Sequence, residues 1–173
     1  LKGSPDTSRT PYTLVRGVSW YTDQWPEDPY KTVQYHDDAA IELRFELAIP
    51  ETPWRLSGRI DRMAEIDGDL HIIDTKTTKR TLNQQYWASW NPSNQFTAYR
   101  WACRGLGLDV KGVMVEAMQT MVNGCRWARQ KVEIKDEHLD EFEADMQRLV
   151  RLVDECHNRA HWPRNRASCT MYG

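Results

Sequence analysis

Two aspartates and a lysine in the stretch "GRIDRMAEIDGDLHIIDTKTT", residues 58–78, are spaced so that they can act together. The Asp67-Gly68 pair separates two runs of strand type, and Asp-Gly favours a two-residue type I′ hairpin turn. With that turn, counting outward along the two strands sets Asp61 directly opposite Asp74. Side chains alternate between the faces of a strand, so Asp61, Asp74 and Lys76 are predicted to share one face.

Opposed carboxylates destabilise a hairpin unless something neutralises them. At about 5 Å and an effective dielectric constant near 20, their repulsion is roughly 3 kcal/mol. A divalent cation between them would remove it, and carboxylate oxygens on a rigid strand pair suit Mg²⁺ or Mn²⁺. Lys76 beside that cation would orient a metal-activated water, help to deprotonate it and neutralise charge developing on a phosphate. The predicted chemistry is hydrolysis of a phosphodiester bond.

The alternative is an exposed acidic hairpin with no site. Asp61 would then pair with Arg59 or Arg62, and Lys76 would be solvated. The same count sets Arg59 beside Lys76, and one bulge in the hairpin would shift the whole register.

Composition predicts one globular domain over residues 1–173. The chain has 40% hydrophobic residues and eight tryptophans, which is enough for a hydrophobic core. Its 173 residues are too few for two domains of typical size. It has no apolar run of transmembrane length and no signal-peptide pattern, which predicts a soluble, intracellular, cytoplasmic protein. Because it begins at Leu1 and stops at Gly173, we expect a fragment that lacks N- and C-terminal parts.

The charge balance gives no global signature of a nucleic-acid-binding protein. The net charge is -2 and the isoelectric point is about 6.2, so binding would rely on local patches. One candidate patch is Lys79 and Arg80, directly after the hairpin. The tail that contains Arg159, Arg164 and Arg166 is a second candidate, and there a solvated surface is the preferred interpretation.

Periodicity predicts the first half of the chain as a helix followed by three strands. Thr10 and Pro11 suit the start of a helix. Its apolar face would carry four residues at helical spacing: Leu14, Val18, Tyr21 and Trp25. The segment 39–49 alternates apolar and charged residues as a strand does, and the hairpin supplies two more strands.

The second half is predicted as helix, strand, strand, helix. A helix enters through Asn91-Pro92 and ends near Gly105 or Gly107, and strands follow at 110–118 and 125–134. An amphipathic helix covers 136–160, with a core face of Leu139, Phe142, Met146, Leu149 and Val153. The order αβββαββα predicts an α/β fold of the α+β type, a central mixed sheet flanked by helices.

Three motifs in this order resemble the PD-(D/E)XK nuclease superfamily, in particular its RecB-like branch, which includes CRISPR-associated and phage exonucleases. In that pattern a Gly-x-x-Asp strand is followed by an Asp-x-Lys strand and then by a helix bearing Gln-x-x-x-Tyr. The matching residues are Gly58 with Asp61, Asp74 with Lys76, and Gln95 with Tyr99. The resemblance implies a restriction-endonuclease-like core; the motifs extend from about Glu42 to Tyr99, and the topology over nearly the whole chain.

The resemblance also implies roles for single residues. Asp61 and Asp74 would bind the metal, the Thr75 carbonyl would add a ligand, and Lys76 would act on the attacking water. Glu42 matches a glutamate on the first strand that assists the metal. Glu46, four residues later on the same strand, is the alternative for that role.

Gln95 and Tyr99 lie one helical turn apart and would position DNA or active-site groups. A packed tyrosine beside a surface glutamine is the alternative for this pair. Lys79 and Arg80 would contact the nucleic acid.

The histidine and cysteines suggest no further site. His36 lies in a turn-like stretch and is predicted to be a loop residue. Some relatives hold an iron-sulfur cluster, and Cys169 resembles the first member of its C-terminal cysteine trio, so a cluster would require a longer chain. The other three cysteines lack Cys-x-x-Cys spacing and are predicted to be reduced thiols: Cys103, Cys125 and Cys156.

The function predicted from these features is a Mg²⁺- or Mn²⁺-dependent deoxyribonuclease. Its DNA substrate, its exonuclease mode and its place in a recombination, repair or phage complex are implied by the resemblance alone. One alternative is a nuclease-like fold that serves as a DNA-binding or assembly module without activity. Another is metal-dependent hydrolysis of a smaller phosphate ester.

Overall fold

The structure is a computed structural model that describes residues 10–164. Its helices are α1 (Pro11–Gln24), α2 (Gln84–Ala88), α3 (Asn94–Gly105) and α4 (Asp136–Asn158). Its first strands are β1 (Lys31–Thr32), β2 (Gln34–Tyr35), β3 (Asp38–Ala39) and β4 (Ile41–Ala48). The later strands are β5 (Arg55–Ile66), β6 (Asp69–Thr78), β7 (Val110–Met121) and β8 (Gly124–Glu133). None of the helices among these residues is both long and apolar enough to cross a membrane.

A six-stranded mixed sheet forms the centre of the fold. Its strand order is β1-β5-β6-β7-β8, and β4 also pairs with β5. The β6–β7 pair is parallel and the other pairs are antiparallel. The predicted α/β class, with helices flanking a restriction-endonuclease-like sheet, is confirmed. The structure adds the short strands β1 to β3 and helix α2, which the periodicity did not predict; His36 lies in the turn between β2 and β3.

The β5–β6 hairpin has the predicted turn and register. Asp67 and Gly68 have φ angles of 55° and 86°, as a type I′ turn requires. Ile66 pairs with Asp69, and the same register continues to the pair Arg62–Ile73. The local Asp-Gly signal therefore places the two motif strands beside each other.

The two faces of the sheet are covered by different helices. The core under α3 contains Phe96 and Ala102 together with Ile60, Ile72 and Val115. Helix α4 packs against α3. Helix α1 covers the opposite face, where the Trp127 indole donates a hydrogen bond of 2.8 Å to the Gly17 carbonyl.

The predicted apolar face of α1 is wrong at its first two positions and correct at Tyr21 and Trp25, which are half-buried and contact the Trp127 ring. Leu14 and Val18 are 58% and 57% exposed, whereas Thr13 and Gly17 are buried. The helix turns its small side to the sheet because a Cβ at position 17 would collide with the Met118 sulfur. Close approach of the backbone decides the orientation here, and hydrophobic periodicity does not register it.

The predicted core face of α4 is correct at Leu139, Phe142, Met146 and Val153, which are buried or half-buried, and wrong at Leu149. Leu139 is buried, but Leu149 is 51% exposed and its neighbour Val150 is buried instead. A straight helix has 3.6 residues per turn, so its contact stripe drifts by about 20° in seven residues relative to a strict heptad pattern. The prediction followed the heptad and therefore slipped by one position.

A compact ion cluster lies under α1. The Arg129 Nη2 atom is 2.5 Å from Glu116 Oε1 and 3.2 Å from Asp28 Oδ1, and Arg62 Nη1 is 2.7 Å from Asp28 Oδ2. The rings of Trp25 and Tyr30 lie 3.8 Å and 4.4 Å from the Arg129 guanidinium, measured to the ring centroids. Two cations and two anions thus balance inside an aromatic enclosure.

Candidate active site

Asp74 lies on β6 in the buried part of the sheet. The Asp74 side chain is fully buried, and its Oδ2 atom is 2.7 Å from the Lys76 Nζ atom. Its Oδ1 has no hydrogen-bond donor among residues 10–164. Burial raises the pKa of Asp74 above the ordinary aspartate value and the nearby Asp61 charge raises it further, while Lys76 opposes both effects. Asp74 is therefore a buried acceptor that one cation neutralises incompletely.

Asp61 lies on β5 beside the backbone of Thr75. Its Oδ2 accepts a hydrogen bond of 3.2 Å from the Thr75 amide. Ile60 belongs to the core under α3, whereas Arg62, two residues on, contacts Asp28 under α1. The regular alternation of β5 is thus interrupted at Asp61. The two arginines offered as its alternative partners pair elsewhere, Arg59 with Glu42 and Arg62 with Asp28.

The Lys76 ammonium is held from several directions. It donates a hydrogen bond of 2.9 Å to Gln95 Oε1, and Gln95 Nε2 donates one of 2.8 Å to the Tyr99 hydroxyl. The ring centroids of Trp90 and Phe96 each lie 5.6 Å from it. Such contacts fix a lysine whose four-carbon stem would otherwise sample many rotamers. A freely solvated Lys76, the alternative considered from the sequence, is not what the structure shows.

The pKa of the Tyr99 hydroxyl depends on the charges of the nearby carboxylates. Burial raises the pKa of its hydroxyl above the ordinary tyrosine value, and the hydrogen bond from Gln95 opposes that rise. The charges of Asp74, Asp61 and Glu42 raise the pKa of Tyr99 further. The three carboxylates predicted from the sequence therefore act on one phenol of α3.

Glu42 lies level with Asp61 on the neighbouring strand. The β4–β5 ladder pairs Ile41 with Arg62 and Leu43 with Ile60, and Glu42 lies between these pairs. Its φ angle of 54° is in the left-handed region, which side-chain-bearing residues rarely adopt. The local backbone departs from regular strand geometry on both strands at the same level.

Of the two glutamates considered for the first strand, Glu42 is nearer to Asp61. Its Oε2 is 2.6 Å from Arg59 Nε, and its side chain is 54% exposed. Glu46 lies opposite Ser57 and is bound by Arg55, with 2.6 Å between Arg55 Nε and Glu46 Oε1.

The glycine of the first motif has a packing explanation. Gly58 pairs with Phe45 across the β4–β5 ladder, and a Cβ at position 58 would lie 2.5 Å from Phe45 Cζ. Any side chain there would displace the ring from the core near the motif aspartate.

The donor set fits a hard divalent cation. Asp74 Oδ1 is a buried acceptor without a donor among residues 10–164, and burial together with the charge of Asp61 raises the pKa of Asp74. No three His, Cys, Asp or Glu side chains in residues 10–164 already converge as a metal site. The sequence predicted three carboxylate ligands, Asp61, Asp74 and Glu42, together with the Thr75 carbonyl; Glu42 is held by Arg59 and does not converge with the two aspartates.

A comparison with known protein families gives a match over nearly the whole chain. The family model of the PD-(D/E)XK nuclease superfamily matches residues 11–171. The chain belongs to the PD-(D/E)XK nuclease superfamily. The predicted superfamily is thereby confirmed, and with it the expectation of a nuclease fold whose members generally use divalent metals.

The other comparisons add little. None of the curated proteins matches this sequence. One of the solved structures that match, titled "Crystal structure of SSO0001", is 11% identical with a TM-score of 0.41. That alignment covers 79% of this chain, and this chain spans 58% of the length of that one.

The sequence patterns did not indicate the aromatic wall of this candidate site. Helix α2 and the turn after it place Tyr86 and Trp90 beside Phe96, with ring centroids 5.9 Å apart for Tyr86–Trp90 and 5.4 Å for Trp90–Phe96. The guanidinium of Arg80 is 5.8 Å from the Tyr86 centroid. The segment "QQYWASW" carries two of these aromatics four residues apart, which is the one signal that could have indicated the wall.

The remaining predicted residues lie at the margin of the site or beyond it. Lys79 and Arg80 are exposed in the segment after β6. Arg159 pairs with Glu155 at 2.9 Å, and Arg164 is exposed. Cys103, Cys125 and Cys156 are free and buried, and burial raises the pKa of Cys103 to about 12. Cys169 and Arg166 lie outside the described residues.

Proposed function

We propose that this chain is a divalent-metal-dependent DNA nuclease of the RecB-like branch that acts as an exonuclease. The observation that carries the proposal is the buried Asp74 carboxylate, held 2.7 Å from a Lys76 ammonium that Gln95 fixes in turn. A buried acid with an unpaired oxygen beside an oriented cation is the arrangement that phosphodiester hydrolysis needs.

Asp61 and Asp74 would hold the Mg²⁺ or Mn²⁺ ion, with the Thr75 carbonyl and Glu42 as further ligands. When bound, the metal would polarise the phosphoryl oxygen and lower the pKa of water. The hydrogen bond from the Thr75 amide fixes Asp61, and it also fixes the peptide that precedes Thr75. Glu42 would have to leave Arg59 to reach the ion, which makes it the most adjustable of the four groups.

Lys76 would orient the attacking water and stabilise negative charge on the phosphate. Its ammonium keeps one contact with Asp74 and one with Gln95, so its position is set before substrate arrives. Gln95 and Tyr99 would be positioning residues, because they act through Lys76 and the carboxylates. Lys79 and Arg80 would contact DNA phosphates beyond the aromatic wall.

The DNA substrate and the exonuclease mode are supported only by the motifs shared with the RecB-like branch. The experiment is incubation of end-labelled linear DNA and closed circular DNA with Mn²⁺, Mg²⁺ or EDTA. Asp74→Asn and Lys76→Ala serve as test variants, and Arg126→Gln, an exposed residue on β8, is the matched control.

Metal-dependent loss of the linear DNA, absent from both test variants and kept by the control, supports the nuclease. Sparing of the circle supports the exonuclease mode, and cutting of the circle contradicts it. A folded wild-type chain that binds DNA without cutting it in any metal would favour the binding-module alternative. Cleavage of a small phosphate diester with DNA left intact would favour the small-substrate alternative.

A further inference from the structure

An opposed pair of arginines lies on the exposed side of the first two motif strands. Arg44 on β4 pairs directly with Arg59 on β5, so their side chains leave the sheet on the same face. Like charges in directly opposed positions destabilise an antiparallel ladder. A cation would remove the repulsion between the two opposed aspartates of the hairpin. In the same way, a bound anion would remove the repulsion between these two opposed arginines.

The acidic residues nearby neutralise Arg59 but leave Arg44 without an ion-pair partner among the described residues. Glu42 is bound by Arg59, with 2.6 Å between the ion-paired atoms, and Glu46 is bound by Arg55 at the same distance. No carboxylate in the described residues forms an ion pair with Arg44. Among the described residues, the exposed Arg44 guanidinium is therefore without a carboxylate partner. Its neighbour Arg59 is paired with Glu42, which is also a candidate residue of the active site.

The surface around the pair is concave. Arg44, Ser57 and Arg59 line a depression of 480 Å³ together with Phe45, Glu46 and Gly58. Two guanidiniums and a hydroxyl supply hydrogen-bond donors, and planar guanidiniums bind phosphate oxygens with two parallel hydrogen bonds. Ser57 is exposed, so its hydroxyl is accessible to a bound group.

The depression is linked to the carboxylates of the site. Arg59 lies opposite in orientation to Ile60 of the core under α3, so its side chain leaves β5 on the other face of the sheet, and the link to the site is through Glu42 on the neighbouring strand. Arg59 also holds Glu42, whose charge acts on Tyr99 together with those of Asp61 and Asp74.

We propose that Arg44 and Arg59 bind a backbone phosphate of the nucleic-acid substrate where it passes the β4 edge of the sheet, next to Glu42. The proposal rests on the proposed nuclease function and names the group by which the substrate strand is held. Because the contact is to the backbone, it contributes affinity and register but no sequence preference.

The test is DNA binding by the full chain in the Asp74→Asn background, which separates binding from cleavage. Fluorescence anisotropy of labelled single-stranded and double-stranded oligonucleotides would be measured over a range of salt concentrations. Arg44→Gln should weaken binding at low salt by about tenfold, the effect of losing one charge-assisted hydrogen-bonded contact. It should also reduce the slope of log affinity against log salt by about 0.9 for duplex or 0.7 for single-stranded DNA.

Two further variants define the result. Arg44→Lys keeps the charge and should restore the salt slope but only part of the affinity. Arg126→Gln removes an equally exposed arginine at the opposite edge of the sheet and should change neither quantity. Circular dichroism of each variant checks that the fold is intact.

An Arg44→Gln protein that binds DNA as Arg126→Gln does would overturn the proposal and leave the nuclease function standing. If the wild-type chain cuts DNA while Arg44→Gln changes neither affinity nor slope, only the phosphate site fails. If the chain neither binds nor cuts DNA, the proposed function itself fails, and the phosphate site fails with it.

Discussion

The two faces of the sheet both bury charged side chains, but they neutralise them differently. Under α1, Arg62 and Arg129 meet Asp28 and Glu116, so cations and anions are equal in number. Under α3, Lys76 is the cation in contact with Asp74, and Asp61 adds a second negative charge. One cluster is electrically closed and the other carries an excess of negative charge.

The pKa directions express this difference. Burial alone would raise the pKa of Asp28, but the hydrogen bond and charge of Arg62 lower it below the ordinary value. Burial and Asp61 raise the pKa of Asp74 despite its contact with Lys76. A balanced cluster stabilises its charged form and serves the fold. An unbalanced one would keep an acceptor available, at a cost in stability, for the proposed divalent cation.

The same exchange of carboxylate for amide should therefore have opposite effects on the two faces. We expect Asp74→Asn to lower DNA cleavage by about a thousandfold or more, because it removes a charge that the transition state requires. We expect its melting temperature to equal or exceed that of the wild type, because a poorly neutralised buried charge is removed. Cleavage rates and thermal melts check both parts; a variant that is unfolded would contradict the comparison.

Glu116→Gln should do the reverse. Removing this carboxylate leaves Arg129 buried with an insufficient counter-charge, and breaking a buried pair in this way costs about 3 kcal/mol or more. Urea denaturation measures the change in the free energy of unfolding. The variant that remains folded should still cut DNA at close to the wild-type rate. A large loss of activity without loss of stability would assign Glu116 to the catalytic machinery and break the comparison.

The pH dependence of stability should differ in sign between Asp74 and Asp28. The folded state raises the pKa of Asp74, so ionised Asp74 destabilises the fold at neutral pH and this effect disappears below the unfolded value of 3.8. For Asp28 the folded-state pKa is lowered, so its stabilisation is present at neutral pH and is lost as the pH falls through that lowered value.

Melting curves of Asp74→Asn and Asp28→Asn across this pH range provide the measurement. The gain in melting temperature from Asp74→Asn should shrink toward zero as the solution is acidified to about pH 3.8. The loss from Asp28→Asn should shrink toward zero at still lower pH. Two differences of the same sign at neutral pH would show that both carboxylates have the same role.

The aromatic wall should matter less than the carboxylates. Trp90→Leu removes one of the rings near the Lys76 ammonium, and an ammonium–ring contact contributes about 0.5–2 kcal/mol. We expect the cleavage rate to fall by about two- to thirtyfold, which is this free energy expressed as a change in rate. Trp162→Leu, at a tryptophan that is 57% exposed, is the control and should cut DNA normally.

The smallest effect concerns the exposed Glu42–Arg59 pair. Arg59→Gln frees Glu42 from a competing cation, and exposed ion pairs contribute about 0.2–1 kcal/mol. We expect Mn²⁺ to bind up to about fivefold more tightly by calorimetry, while DNA binds more weakly. Unchanged Mn²⁺ affinity would remove Glu42 from the proposed ligands.

The structural features that could be predicted from the sequence are those that depend on residues close together in the chain. The hairpin follows from Asp67-Gly68, a local signal with one preferred geometry. The side that α1 turns to the sheet does not follow, because it depends on the fit of Gly17 against a methionine about a hundred residues away in the chain.

The candidate site divides in the same way. Asp61, Asp74 and Lys76 come from one hairpin, and the approach of Gln95 and Tyr99 is implied by the family motif. The contact of Trp90 with Lys76 and the contact of Arg129 with Asp28 could not be predicted in this way, because each joins two separate elements. Arg129 and Asp28 are 101 residues apart in the sequence. No periodicity encodes contacts at that distance.

The type I′ turn also limits how this protein can change over evolution. Asp61 and Asp74 stay level with each other only while the two arms between them and the turn have equal lengths. A single inserted residue in one arm would slide one strand past the other and separate the carboxylates. In related sequences we expect length changes between these aspartates to occur as matched insertions or deletions, one in each arm, with the turn itself unchanged.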